Sequence, residues 1–316
     1  MSTPALPDVS GDWFAGMRSG RWEDAWRATD RIEVERRRLQ AQPGFRWRPE
    51  YLRWDGTPLQ GREVMVRCDH GLGDTLQFLR FVPLLGAAHV HLMVQPPLLP
   101  LLAGAPGLGE VHDWWTDDPL PPHDAEIEVM ELPYALRTTP ATLPPPYPHL
   151  RAQLEGMPPL GLERDGRLRV GLLWAASDWD GSRSVPLEFL QPLLEAPGLR
   201  FFSLQQGPAA DDPLLPLENL APRTRGIAQA AAAMCELDLV ISIDGMPAHL
   251  AGTLGVPTWV LLKRDADWRW MQGRSDSPWY PGMRLFRQPA AGDWATPIEE
   301  IRRMCSQRVR TGGEGA

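Results

Sequence analysis

Glu63-Val-Met-Val-Arg-Cys-Asp-His-Gly-Leu-Gly-Asp-Thr-Leu-Gln-Phe-Leu-Arg-Phe-Val82 begins as a short apolar run, turns through two glycines and continues with apolar residues at helical spacing. The pattern predicts a strand over 63–68, a turn over 69–74 and a helix over 75–82. Downstream, the runs 89–94, 110–114 and 125–129 read as further strands, with helical or looped segments between them. Strands alternating with helices indicate βαβ units and a parallel sheet.

A second series starts at Leu168-Arg-Val-Gly-Leu-Leu-Trp174. Helices are expected near 187–195, 227–237 and 247–254, and strands at 199–204, 239–243 and 257–262. Between the two series, residues 138–166 hold Pro140, Pro144, Pro145, Pro146 and Pro148 and read as the domain boundary. A last helix, 296–307, is expected to cross back onto the first domain. Upstream, Phe14, Met17, Trp22, Trp26, Ile32 and Val34 recur near helical spacing around a turn at Ser19-Gly20, which predicts a helical hairpin. The resulting plan is α/β: a hairpin over 1–45, one Rossmann-like domain over 46–150, a second over 151–308, and a disordered tail over 309–316. A cleft is expected between the two Rossmann-like halves.

Composition narrows the function. The chain has 316 residues, which suggests two domains. Its 32 basic and 40 acidic residues give a net charge of −8, which argues against nucleic-acid binding. Lys263 is the single lysine, so arginine supplies nearly all the positive charge and no lone arginine is a signal in itself. Residues 82–109 lack charged side chains but carry five prolines and two histidines, which a membrane-spanning helix would not tolerate. No signal peptide is evident at the N-terminus. Cys68, Cys235 and Cys305 form no metal-ligand spacing and read as buried thiols in a reducing compartment, so a cytoplasmic location is expected.

Ligands of open α/β sheets collect at the carboxyl ends of strands, and three such ends carry suitable chemistry. In the first, His70-Gly-Leu-Gly-Asp74, Gly71 and Gly73 permit close approach of a ligand. Asp74 reads either as a general base or as a helix N-cap, and His70 as a second acid–base group or a surface residue. In the second, Ala175–Ser184, Arg183 suits phosphate oxygens and Ser177 offers a hydroxyl. The third is Ile243-Asp-Gly-Met-Pro-Ala-His249. There Pro247 fits a first helical turn, the free amides form an anion site, and His249 either faces the cleft or packs inward. Asp178-Trp-Asp180 and Asp265-Ala-Asp267 match a metal-binding Asp-x-Asp pattern, but in so acidic a chain the expectation is no metal site.

Taken together, Trp54–Gly61, His70–Pro83, Arg183–Pro186, Asp238–Asp244, Ala248–Ala251, Asp267–Trp270 and Asp276–Gln288 resemble the catalytic region of bacterial tetratricopeptide-linked glycosyltransferases. That region is similar to glycosyltransferase family 9, the heptosyltransferases. The hairpin resembles a remnant of the helical repeats that precede such domains. The resemblance implies a GT-B architecture and metal-independent, inverting transfer of a sugar from a nucleoside-diphosphate donor to an acceptor hydroxyl, without a cofactor. It implies Asp74 as general base and Ser177, Arg183, Asp244, Gly245, Met246 and His249 around the donor. His70, Gly71, Gly73 and Gln77 would line the acceptor side of the cleft. The chain departs from the family at Gly245, where a threonine is usual, and at the bulky Met246. The alternative reading is therefore a catalytically degenerate homologue that binds a sugar nucleotide or a protein.

Overall fold

Apolar runs that alternate with turns leave the chain two parallel sheets to build, and it builds both. The computed structural model describes residues 8–40, 54, 56–86, 89–176, 180–211 and 217–312. Two helices, α1 (Ser10–Arg18) and α2 (Trp22–Gln40), form the expected hairpin. The first sheet comprises β1 (Glu63–Arg67), β2 (His89–Val94), β3 (Glu110–Asp113) and β4 (Ala125–Glu128) in the order β3-β2-β1-β4. Helix α3 (Leu72–Phe78) follows β1, and the short helices α4 (Leu99–Leu102) and α5 (Leu132–Ala135) follow β2 and β4.

The second sheet comprises β5 (Leu168–Leu173), β6 (Leu199–Ser203), β7 (Glu218–Asn219), β8 (Leu239–Ile243), β9 (Thr258–Leu262) and β10 (Met283–Arg287). Its order is β10-β9-β8-β5-β6-β7, again parallel throughout. Helices α6 (Leu187–Leu194), α7 (Ile227–Cys235), α8 (Met246–Thr253) and α9 (Ala295–Gly312) complete this domain. The strand order reverses between β1 and β4 in one sheet and between β5 and β8 in the other. Such switch points open a crevice beyond the strand ends, where ligands of this fold class bind.

Three features differ from the sequence reading. Helix α3 starts three residues earlier than expected and gives way to a tighter 3-10 helix over Leu79–Leu85. Pro83 lies inside that segment and has no N–H to continue an α-helical ladder. Helix α9 runs on to Gly312, through the first residues of the expected tail, while 313–316 lie outside the described residues. It also stays on its own domain. Its stripe of Ile298, Ile301 and Cys305 is buried with Leu190 and Leu193 of α6 on the outer face of the second sheet. The strands β7 and β10 were not anticipated as separate elements.

A single apolar core runs from the hairpin through the first domain into the inner face of the second. Trp22 of the hairpin stacks on Trp279 with ring centroids 4.9 Å apart, and Trp13 meets Trp268 edge-on. The Trp26 indole N–H donates to the Thr138 carbonyl, while Arg137 and Tyr134 donate to the Asp30 carboxylate. The hairpin thus grips both domains, and most large aromatics serve packing. Burial pushes the Cys68 thiol up and takes that of Cys305 to about 11. Among the described residues no helix is long and apolar enough to cross a membrane.

Candidate active site

The two switch points face each other through α3 and α8. Gly73 shows how close these helices come: a Cβ there would lie 2.9 Å from His249 Cδ2 and 3.2 Å from Met246 Cα. Only glycine fits without displacing the opposite helix.

On the first side, Gly71 caps α3 in extended conformation and Asp74 sits in the third helical position, not at the N-cap. Its Oδ2 accepts the Gly71 N–H at 3.0 Å, which satisfies one first-turn donor. Its Oδ1 accepts from Arg269 Nη2 at 2.5 Å. The structural and chemical readings of Asp74 therefore coexist in one carboxylate, half-buried at 24% side-chain exposure. Buried Gln95 holds the loop behind it, donating from Nε2 to the Cys68 and His70 carbonyls and accepting from the Thr75 hydroxyl. His70 and Gly71 are exposed. Gln77, expected to line the cleft, is fully buried in the seam between the domains, where its Oε1 accepts from Arg269 Nε at 2.9 Å.

On the second side, the Asp244 turn leads into α8 through Gly245 and Met246. Arg183 reaches this turn, as its sequence position suggested, and donates from Nη1 to the Asp244 carbonyl at 2.9 Å. Ser177 lies outside the described residues. Burial, then the neighbouring Asp267 carboxylate, pushes Asp244 up to about 6. His249 points inward: its Nδ1 lies 3.0 Å from the Tyr280 hydroxyl and its ring stacks on Trp270. Burial, helped by Arg269 and Arg80, lowers it to about 3, so the ring is neutral at pH 7. A neutral inward ring shapes the wall of the site and adds no charge to it.

Three contributors were missed in the sequence. Arg269 joins the two sides, donating to Asp74 and Gln77 on one and to Asp267 Oδ1 at 2.8 Å on the other. Burial works against its charge, but Asp267 and Asp74 outweigh it and raise the guanidinium above its ordinary value. It stands in the Trp268-Arg-Trp270 run, hidden among thirty other arginines. Glu128, at the end of β4 beside the first switch point, is taken up to about 8 by burial. Its signal was the spacing of Glu126 and Glu128, two carboxylates on one face of a strand. Lys263, at the end of β9, donates to Asp180 Oδ2 at 2.8 Å and to the Ser182 hydroxyl. Asp180 and Asp267, the last residues of the two Asp-x-Asp triplets, are thus both bound by cations of the chain itself.

No protein-family model matches the chain. It is 28% identical over 295 residues to the protein FlbA of Caulobacter vibrioides, a match that takes in 79% of this chain and 47% of FlbA. The chain thus spans about half the length of that curated relative. Among solved structures it resembles the family 9 glycosyl transferase of Veillonella parvula, with a TM-score of 0.55 at 13% identity over 81% of this chain and 99% of that one. It also resembles E. coli heptosyltransferase WaaC, solved with ADP-2-deoxy-2-fluoro heptose, with a TM-score of 0.52 at 12% identity over 78% and 99% of the two chains. The two-sheet fold expected from the sequence is the heptosyltransferase fold.

Proposed function

We propose that this chain transfers a sugar from a nucleoside-diphosphate donor to an acceptor hydroxyl, with inversion and without a metal ion. The observation that carries the reading is the meeting of two strand-end helices, one presenting the Asp74 carboxylate and the other the Arg183-braced Asp244 turn. The fold shared with WaaC, whose structure holds an ADP-sugar analogue, supports the same reading.

An acceptor hydroxyl needs a base as it attacks, and positioned acid–base catalysis contributes roughly 10²–10⁴-fold. Asp74 supplies it: a carboxylate offers about four lone-pair sites, and Arg269 and Gly71 take two. Arg269 acts as a positioning residue that fixes the carboxylate orientation. As the bond to the diphosphate breaks, negative charge grows on the leaving group. Arg183 and the first-turn amides of α8 stabilise that charge electrostatically. With Asp180 and Asp267 already paired to Lys263 and Arg269, neither carboxylate is left bare to hold a metal ion. Closure of the two domains around bound substrate excludes water.

Calorimetry with a panel of nucleoside diphosphates and nucleotide sugars, with and without EDTA, tests this reading. Selective binding of one nucleotide, unchanged by EDTA, is expected. Arg183→Ala should weaken a nucleoside diphosphate more than the bare nucleoside, and equal losses would remove its diphosphate role. The second reading, a binding module without turnover, is favoured by the engagement of both Asp74 oxygens within the protein. Donor binding without transfer to any acceptor hydroxyl would establish it.

A further inference from the structure

On the first sheet, the face turned away from the shared core carries a second group of ionisable side chains along β1, β2 and β3. Parallel pairing sets His91 of β2 against Glu110 of β3, and His112 stands two residues further along β3 on the same face. The ligand atoms converge. His91 Nδ1 lies 3.2 Å from His112 Nε2 and 3.6 Å from Glu110 Oε2, and His112 Nε2 lies 3.8 Å from that oxygen. A tetrahedral ion with bonds near 2.0–2.2 Å has ligand atoms about 3.3–3.6 Å apart. The three atoms therefore outline one face of such a tetrahedron to within a few tenths of an ångström.

A second observation is independent of that triangle. The other ring nitrogen of His91, Nε2, lies 3.0 Å from Glu63 Oε2 on β1. A carboxylate behind a histidine fixes its tautomer and orientation and strengthens it as a ligand, the usual outer arrangement of metal-bound histidine. His91 is held between the two carboxylates at 13% side-chain exposure, while Glu110 is 76% exposed and free to swing onto an ion.

We propose that His91, His112 and Glu110, backed by Glu63, form a binding site for one Zn²⁺ or a similar borderline divalent ion, with solvent at the open position. Two imidazoles and one carboxylate suit zinc better than calcium or magnesium, which prefer oxygen alone. The ion clamps the short edge strand β3 to β2. The edge strand β3 lies two strands, roughly 10 Å across the sheet, from β1, whose end carries the Asp74 turn, so the clamp is structural and independent of the transfer proposed above.

The test is titration of ZnCl₂ into the full untagged chain, stripped with EDTA and then freed of it, followed by calorimetry. One ion per chain is expected to bind, with a Kd in the micromolar range or tighter and a rise in Tm. His91→Ala and His112→Ala should each weaken binding at least about 30-fold, and Glu110→Gln about 10-fold. Glu63→Gln, which touches no ion, should still cost about 10-fold. Co²⁺ should give the intense visible absorption of tetrahedral coordination in the wild type and lose it in Glu110→Gln. That variant alters an exposed side chain, so it tests the site even if a histidine variant fails to fold. A zinc isotherm unchanged in Glu110→Gln and in either histidine variant, or no binding below about 1 mM, would overturn the proposal.

Discussion

The turns after β1 and after β8 each flank the switch point of their sheet but treat their ionisable groups in opposite ways. In the first, Asp74 stays half-exposed and ion-paired to Arg269, a charged group held ready. In the second, Asp244 is raised to about 6 and His249 lowered to about 3, and burial is the largest cause of both shifts. One turn holds its carboxylate beside the buried Arg269, and the other keeps His249 neutral and leaves the backbone amides and Arg183 to meet an anion. That division suits a reaction in which a proton is taken on one side and negative charge departs on the other.

The largest effect that would sharpen this contrast is on rate. Asp74→Asn should lower transfer by about 10²–10⁴-fold while donor affinity stays nearly unchanged. Transfer at the wild-type rate would end the contrast at its first side. Next comes Arg269→Ala, which strands the carboxylates of Asp74 and Asp267 at the seam. With both carboxylates partly exposed, the loss should be about 1.5–3 kcal/mol, and a denaturant midpoint that barely moves would show that the seam does not rely on this arginine.

A pair of glycine substitutions probes the starts of α3 and α8 directly. Gly73→Ala forces α3 away from His249 and Met246 and should cost about 1–3 kcal/mol. Gly245→Ala has nothing closer than Pro247 Cδ at 3.7 Å and an extended backbone, so it should stay within about 0.5 kcal/mol. Equal losses would mean that the helices are not in contact in solution.

A further effect is on pH dependence. Folding keeps His249 neutral, so the unfolded chain takes up the proton first as pH falls below about 6.5. Its contribution to stability is complete above that pH and is lost progressively toward pH 3, by about 2 kcal/mol at pH 5. Asp244, raised to about 6, works the other way, since the folded state takes up its proton first and gains stability as pH falls from 6 toward 4. The difference between wild type and His249→Gln cancels the Asp244 contribution and should expose the His249 slope. A flat difference would mean that His249 is not buried.

Much of the fold was legible because it rests on local signals. The apolar runs at 63–67, 89–94, 168–173 and 239–243 became strands within a residue or two of their expected ends. The loops carrying Asp74, Arg183 and Asp244 fell at strand ends, where this fold class gathers its ligands. Burial and partners were another matter. Gln77 was expected in the cleft and His249 either there or packed inward, and only the approach of α3 to α8 turned both inward. Arg269 looked like one arginine of many until folding placed Asp74, Gln77 and Asp267 around it.

The sequence by itself determined the α/β alternation, the division into two sheets and the residue types at each strand end, because hydrophobic period and turn chemistry act over a few neighbouring residues. Tertiary structure alone decided which distant groups meet. Strand order placed β1 beside β4 and β5 beside β8, so that two crevices face each other. Strand register brought Glu63, His91, Glu110 and His112 together, although no spacing in the chain announces them. Pairing of strands far apart in sequence, unlike periodicity, is a property of the whole chain.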